Sequence, residues 1–344
     1  MRTRCGPIWL VLADNLSLVT IQENIRSRVR RYLSPSAAGV DVSAKVLPPG
    51  FTQEGSRRPV PLPDGWTHER VFALLQTVSI DLAPPAEIEG YLRQDFDRFL
   101  HTWNLVKDES GTVLEIGANP YFTSVLLREF TALEHTMTNN FDVAVTGMCS
   151  QRVSYTGADG ISKDHVFEYQ SLNVENSTFP YPDETFDVVV FCEVLEHLQM
   201  DPVAALHEMR RVLKPSGVLL VSTPNVARLE NVARLIAGAN VYDPYSGYGP
   251  YGRHNREYTR HELVRLLGFA GFDPDEHFTV DVHQHQSDLY ANPHVLCSVI
   301  PEDRLPDLGQ YIFCRATKNS DVLRSDRPAE LYRSVHDVEI VSWD

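Results

Sequence analysis

Two glutamates and a histidine are grouped within five residues of this chain, at Glu193, Glu196 and His197. Spacings of three and four residues match the turns of a helix, so we expect one face to present all three side chains. A carboxylate or imidazole held in this way can remove a proton from a hydroxyl group. A further histidine, His254, lies in the charged segment 252–260. These residues predict a site of proton transfer.

Three apolar segments predict the elements that must position these residues. Residues 112–124, 183–197 and 213–225 each contain a short β-branched run that stops at small or polar residues. Such runs are typical of parallel strands, and an open α/β sheet binds its ligand outside the carboxyl ends of its strands. The predicted strand ends are residues 115–119, 192–193 and 223–225.

Strands and helices alternate through this region, which predicts a doubly wound, mostly parallel α/β sheet. The predicted strands are 113–116, 134–138, 165–171, 186–191, 217–222, 272–280 and 308–316. The predicted helices are 87–106, 123–130 and 261–271. The sequence therefore predicts seven strands with a helix packed ahead of the first one.

The flanking regions differ in composition from this core. Residues 1–85 predict an N-terminal arm, with a basic helix at 21–33 and a Pro-rich linker at 47–65. Residues 226–258 contain four tyrosines among glycines and prolines, namely Tyr242, Tyr245, Tyr248 and Tyr251. We interpret this segment as a lid over the acceptor, with a rigid surface loop as the alternative. Residues 319–344 predict a polar tail after a main domain of residues 86–318.

The amino-acid composition limits the classes of partner that the protein can bind and the compartment in which it occurs. The net charge of −15 argues against broad binding to nucleic acid, which needs many Lys and Arg residues on phosphates. The five cysteines show no Cys-x-x-Cys spacing, which favours thiols in a reducing cytosol. No segment approaches the roughly 20 apolar residues that span a bilayer. We expect a soluble, cytoplasmic protein with a small-molecule partner, and a homo-oligomer is compatible with this.

Two further motifs support a family resemblance. The Phe-Pro-Tyr-Pro-Asp-Glu-Thr-Phe-Asp sequence at 179–187 and the Leu-Lys-Pro-Ser-Gly sequence at 213–217 are highly typical of one fold. With Glu-Ile-Gly at 115–117 and Glu-Val-Leu-Glu-His at 193–197, the chain resembles the class I S-adenosylmethionine (SAM) methyltransferases. The resemblance covers roughly residues 87–318. It implies a Rossmann-like seven-stranded sheet, here with an N-terminal helical extension, and SAM as the cofactor.

The resemblance also implies which residues bind SAM. They are Glu115, Gly117, Ala118, Asn119, Asn139, Asn140, Leu172, Asn173, Cys192 and Glu193. Only the first glycine of the usual Gly-x-Gly-x-Gly loop is present, and amides stand where acids usually bind the ribose and the adenine. Neutral hydrogen bonds are weaker than charge-assisted ones, so these departures affect affinity more than cofactor identity. A dinucleotide oxidoreductase is disfavoured because Gly-x-Gly-x-x-Gly is absent.

The Glu-x-x-Glu-His pattern with a later histidine is similar to two groups that use a divalent ion. These are the small-RNA 3′-end 2′-O-methyltransferases and the ubiquinone-pathway O-methyltransferases. The resemblance implies Glu193, Glu196, His197 and His254 as ligands of Mg²⁺ or Zn²⁺, which would polarise an acceptor hydroxyl. The alternative is a site without metal, in which His197 or His254 is the general base.

We therefore predict a SAM-dependent O-methyltransferase that acts on a small-molecule hydroxyl, on a sugar or a secondary metabolite. An RNA 2′-O-methyltransferase is one alternative, and the acidic charge argues against it. A non-catalytic interaction module is the other, because the glycine loop and the ribose acid are altered. The sequence leaves the acceptor, the metal dependence, the oligomeric state and the role of residues 1–85 open.

Overall fold

The computed structural model describes residues 51–52, 55–56, 58–140, 145–247, 251–284, 286–321, 323–335 and 338–342. The predicted basic helix at 21–33 and Tyr248 of the predicted lid lie outside the described residues. The α-helices are α1 His68–Gln76, α2 Pro85–Asn104, α3 Phe122–Phe130, α4 Pro202–Val212, α5 Leu229–Ile236, α6 Arg260–Phe269 and α7 Pro293–Val299.

The strands follow the same chain order. They are β1 Phe51–Thr52, β2 Gly55–Ser56, β3 Ser79–Ile80, β4 Ser110–Ile116, β5 Ala132–Asn139, β6 Gly147–Thr156, β7 Ser162–Ser171, β8 Phe186–Cys192, β9 Leu213–Pro224, β10 Phe272–Val280, β11 Tyr311–Lys318, β12 Arg327–Pro328 and β13 Ile340–Val341. Short 3₁₀ turns occur at Leu195–His197, Ser287–Leu289 and Glu302–Asp307.

Nine of the described strands form one sheet, in the order β10-β11-β9-β8-β4-β5-β7-β6-β3. The five strands from β9 to β7 pair in parallel, whereas the pairings at both edges are antiparallel. The predicted doubly wound α/β fold is confirmed, and all seven predicted strands occur. Strands β6 and β3 extend the sheet beyond them. The sequence did not predict β6, whose partly exposed face carries four polar residues beside Met148.

The central strands are buried on both sides, which explains their continuous apolar sequence. In β8, four consecutive residues from Val188 to Phe191 are at most 1% exposed. One face packs against α2 and α3 through a cluster that includes Phe99, Trp103 and Leu126. The other face packs against α4 and α6, through Leu206 and Leu266 among others. This two-sided burial is the condition for a parallel sheet of this type.

The segment that we expected to be a polar tail is packed against the domain instead. Strand β12 pairs with β13, and Tyr332 is only 6% exposed. Arg327 donates two hydrogen bonds of 2.8 Å to Asp201, and the Tyr332 hydroxyl donates a third of 2.8 Å to the same carboxylate. Asp201 is the N-cap of α4. The polar side chains of this segment therefore bind a half-buried acid, which composition alone does not indicate.

No helix among the described residues combines the length and the apolar character that crossing a membrane requires.

We predict that burial of His101 makes the fold sensitive to acid. The imidazole packs against the rings of Phe278 and Phe313, and burial lowers its pKa to about 4 from the ordinary 6.5. The unfolded chain therefore binds this proton more readily, and stability is lost as the pH falls below 6.5. The linkage relation gives about 2 kcal/mol between pH 7 and pH 5 from this group. Urea unfolding at both pH values measures it.

The His101→Phe variant keeps the aromatic packing and removes the titrating group, so its loss of stability over this range should be smaller by that amount. The exposed His261→Gln is the control, because its side chain remains in water in both states. An equal loss in wild type and His101→Phe would contradict the prediction.

Candidate active site

A cavity of about 470 Å³ lies at the carboxyl ends of β4, β5, β7 and β8. The structure brings every predicted cofactor residue to its wall. They are Glu115, Gly117, Ala118, Asn119, Asn139, Asn140, Leu172, Asn173, Cys192 and Glu193. Glu196, His197 and His254 line the same cavity. Because parallel strands end at one edge of the sheet, residues up to 139 positions apart in the chain meet there.

The loop after β4 is held in place by Asn139. The Oδ1 atom of Asn139 accepts a hydrogen bond of 3.0 Å from the backbone N–H of Asn119, and its Nδ2 donates to the Tyr121 hydroxyl at 3.3 Å. Gly117 has a φ of +76°, and a Cβ there would lie 2.6 Å from a Val194 methyl carbon. The one glycine that remains is thus required by close packing. The amide at the predicted ribose position is already engaged within the loop.

The amide at the predicted adenine position is also engaged by a hydrogen bond within the protein. Asn173 Oδ1 accepts the backbone N–H of Glu175 at 3.0 Å. The backbone N–H of Leu172 donates to the carbonyl of Asn139 at 3.1 Å, which joins the ends of β7 and β5. Burial raises the pKa of the Cys192 thiol to about 12, so it remains protonated at neutral pH. Cys192 therefore presents a neutral thiol to the cavity.

Glu115 is a carboxyl group buried at the end of β4. It is 3% exposed, and its Oε2 accepts a hydrogen bond of 2.6 Å from Ser124. Burial raises its pKa to about 8, against the smaller opposing effect of Ser124. The buried Nε2 of His135 lies 3.7 Å from the same oxygen. A carboxyl in such surroundings is stabilised in its charged form when a ligand cation is beside it.

The prediction that Glu193, Glu196 and His197 share one face of a helix is wrong. Glu193 has a φ of +56°, in the left-handed region, and the chain then forms only the 3₁₀ turn Leu195–His197. The Oε1 atom of Glu193 accepts a bond of 2.7 Å from Ser222 and lies 3.9 Å from Nη1 of Arg98. The backbone turn and these two partners direct Glu193 away from the other predicted ligands.

Glu196, His197 and His254 form a compact cluster instead. One ligand atom from each lies within 4.8 Å of the others. Glu196 is 1% exposed; its Oε2 accepts a bond of 2.8 Å from Thr223, whereas its buried Oε1 has no hydrogen-bond partner. His197 Nδ1 bonds the carbonyl of Arg253 at 3.0 Å. This leaves Nε2 of His197, which lies 3.8 Å from the unpartnered Glu196 oxygen, for a ligand.

The two histidines differ in charge. Burial lowers the pKa of His197, with a smaller contribution from nearby His254, so its ring is neutral at pH 7. Burial also opposes the charge on His254, but its hydrogen bond to Glu257 and the charge of Glu196 raise its pKa to about 9. Burial raises the pKa of Glu196 as well. The cavity therefore pairs a neutral imidazole with a cationic one.

Sequence analysis missed a polar network on α2 and β11. Arg98 is 5% exposed and donates to the Tyr91 hydroxyl at 2.6 Å and to Asp95 at 3.3 Å. The Tyr311 hydroxyl donates to the same Asp95 oxygen at 3.1 Å. All four side chains line the cavity. The spacing of residues 91, 95 and 98 on one helix was the available signal, because polar residues there interrupt an otherwise apolar face.

Of the described tyrosines in the predicted lid, Tyr251 lines the cavity. Its hydroxyl donates to Glu175 at 3.1 Å, and Glu175 also accepts the backbone N–H groups of Gln199 and Asp201 at 2.9 Å each. Tyr242 and Tyr245 are exposed, by 83% and 95%. The segment is thus tied to the loop that follows His197 and remains a candidate lid.

The chain is similar in sequence to known proteins. A relative in Mycolicibacterium smegmatis, described as a probable S-adenosylmethionine-dependent methyltransferase, is 38% identical over 97 residues, which are 28% of this chain and 32% of that protein. The ubiquinone biosynthesis O-methyltransferase of Cereibacter sphaeroides (strain ATCC 17029) is 39% identical over 145 residues, 37% of this chain and 57% of that protein. The chain thus spans between a third and just over half of the length of these relatives.

Among solved structures, a SAM-dependent methyltransferase from Archaeoglobus fulgidus superimposes with a TM-score of 0.40 and 16% identity, over 67% of this chain and 99% of that chain. The profile of a family described as Methyltransferase domain (Methyltransf_23) matches residues 86–277. Because that profile covers more than half of the chain, this protein belongs to the methyltransferase domain family, within the class I S-adenosylmethionine-dependent methyltransferases.

Proposed function

We propose that the protein transfers a methyl group from SAM to a hydroxyl group of a small molecule, a sugar or a secondary metabolite. The supporting observation is the neutral ring of His197, which lies in the same cavity as the cofactor loop. Its Nδ1 is engaged by the Arg253 carbonyl, so Nε2 is the atom that can take the hydroxyl proton. The O-methyltransferase named among the relatives is consistent with this chemistry.

The charge of the cavity favours the substrates of this reaction. When bound, SAM supplies a methyl group on a cationic sulfonium. Five carboxyl groups line the cavity, at Glu87, Asp95, Glu115, Glu193 and Glu196. They favour a cationic ligand and oppose a phosphate-rich acceptor such as RNA. During transfer the acceptor oxygen bonds to the methyl carbon, the carbon–sulfur bond breaks, and His197 holds the released proton.

We also propose a cytoplasmic location. The cysteines among the described residues, Cys149, Cys192, Cys297 and Cys314, form no disulfides, which is consistent with a reducing compartment.

A divalent metal is a second candidate for activating the hydroxyl. The cluster of Glu196, His197 and His254 fits a divalent cation, because one buried Glu196 oxygen is unpartnered, His197 offers Nε2, and His254 offers Nε2 once the ion displaces its proton. Two imidazoles with one carboxylate favour Zn²⁺ over Mg²⁺. A bound ion would lower the pKa of the acceptor hydroxyl. Glu193, the fourth predicted ligand, bonds Ser222 instead.

Binding of S-adenosylhomocysteine, the demethylated product, tests the cofactor half of the cavity. We expect micromolar affinity by calorimetry. Asn139→Ala should weaken it about tenfold, because two hydrogen bonds that hold the loop are lost. Asn319→Ala, an exposed amide outside the cavity, is the matched control. Undetectable binding by the wild type would make the non-catalytic interaction module the leading function.

Variants of the two histidines test the catalytic half. His197→Ala and His254→Ala should each lower methyl transfer to a panel of hydroxylated acceptors by roughly 10²-fold or more, the usual range for a lost acid or base. Both should retain S-adenosylhomocysteine affinity, since the cofactor loop is intact. The exposed His294→Ala is the control. Full turnover in either variant would refute its role.

Chelation separates the two modes of hydroxyl activation. If the ion is used, protein treated with chelator should lose turnover and recover it with Zn²⁺. In addition, Glu196→Gln should weaken Zn²⁺ binding in a calorimetric titration more than Glu193→Gln does, because only Glu196 belongs to the cluster. Turnover that is insensitive to chelator in metal-free protein would leave His197 as the base.

A further inference from the structure

Glu257 lies behind the ring of His254, outside the cavity. Its Oε1 is 3.0 Å from Nδ1 of His254, and its side chain is 12% exposed. Glu257 is absent from the residues that line the cavity, whereas His254 is among them. The carboxylate therefore contacts the imidazole on the side that faces away from the ligands. Nothing in the sequence motif around Glu193 pointed to it.

Arg228 holds the same carboxylate from its other side. Nη1 of Arg228 is 2.5 Å from Oε2 of Glu257, and Nη2 is 3.3 Å from Oε1. A two-point contact between a guanidinium and a carboxylate fixes the plane of the carboxylate. Arg228 is 19% exposed at its side chain and does not line the cavity. Glu257 is thus held in one orientation.

Asn225 anchors these contacts in the sheet. Arg228 Nη1 donates to the carbonyl of Asn225 at 2.9 Å. The fully buried Asn225 follows β9, and its Nδ2 donates to the carbonyls of Asp307 and Gly309 at 2.7 Å each. The backbone N–H of Val226 donates to the carbonyl of Tyr258 at 2.9 Å, beside Glu257. The His254 segment is therefore fixed to the end of a central strand.

The far end of this segment is fixed as well. Thr259 and Glu262 form a capping box at the start of α6, in which the Thr259 side chain accepts the Glu262 N–H and the Glu262 carboxylate accepts the Thr259 N–H. The backbone contacts of Tyr258 and Thr259 thus leave little freedom at the neighbouring Glu257. The remaining freedom is the rotation of the His254 ring about its side-chain bonds.

We propose that Glu257, aligned by Arg228, is the positioning residue of His254. Its bond to Nδ1 holds the ring so that Nε2 faces Glu196 and His197. Carboxylates that hold the second nitrogen of a functional histidine act in this way, with or without a metal. Glu257 contacts no ligand and acts through His254 alone. The predicted effect of Glu257 on turnover rests on the proposed function. The predicted orientation of the His254 ring does not depend on it.

The test compares Glu257→Leu, which removes the acceptor, with Glu257→Gln, which keeps an acceptor oxygen. The control is Glu208→Leu: Glu208 binds Arg211 by two bonds of 2.9 and 2.8 Å and does not line the cavity. Nuclear magnetic resonance of protein with ¹⁵N-labelled histidine reports on the ring directly. We expect the His254 Nδ1–H signal to exchange slowly in wild type, Glu257→Gln and Glu208→Leu, and to be lost in Glu257→Leu.

Kinetics give a second readout. In Glu257→Leu, kcat should fall by roughly 10- to 100-fold, as for other supporting residues of functional histidines, with KM for SAM unchanged. Glu257→Gln should restore most of the rate, and Glu208→Leu should retain it. An unchanged ring signal in Glu257→Leu would overturn the proposal, and so would an equal loss of kcat in Glu208→Leu. If the wild type transfers no methyl group, the proposed function fails and the ring signal still decides the role of Glu257.

Discussion

The burial of three carboxyl groups at one edge of the sheet is the constraint on which the site depends. Glu115 and Glu196 are 3% and 1% exposed, and the side chain of Glu193 is 15% exposed. A buried carboxylate is costly unless hydrogen bonds or a cation compensate it. Each acid accepts a hydrogen bond from one hydroxyl group: Ser124 donates to Glu115, Ser222 to Glu193 and Thr223 to Glu196. The fold supplies one hydroxyl to each acid, and burial nevertheless raises the pKa of all three.

The cationic side chains near these acids belong to elements that are distant in the chain. Arg98 belongs to α2, which precedes β4, and lies between Asp95 and Glu193. His254 comes from the segment before α6 and lies beside Glu196. Each is itself held by a carboxylate, Asp95 for Arg98 and Glu257 for His254. Acids and cations therefore alternate in the wall of the cavity.

Packing around α4 connects this site to the end of the chain. Glu175 accepts backbone N–H groups just after the His197 turn, and Asp201 caps α4 while it binds Arg327 and Tyr332. The segment just after the turn that presents His197 is therefore held by two hydrogen-bonded acids, the buried Glu175 and the half-buried Asp201. This arrangement explains why part of the C-terminal segment belongs to the packed domain, although its sequence is polar.

The sequence by itself determined the seven strands and the edge at which they end, and the family resemblance implied ten cofactor residues, all of which line the cavity. The strands follow from local apolar runs, and their common edge follows from the rule that parallel strands end together. Only the tertiary structure decided the rest. Glu193 turns toward Ser222 and Arg98, 29 and 95 residues away in the chain, and leaves the cluster of Glu196, His197 and His254. The partners of a buried charge are chosen by three-dimensional packing, and no local pattern encodes them.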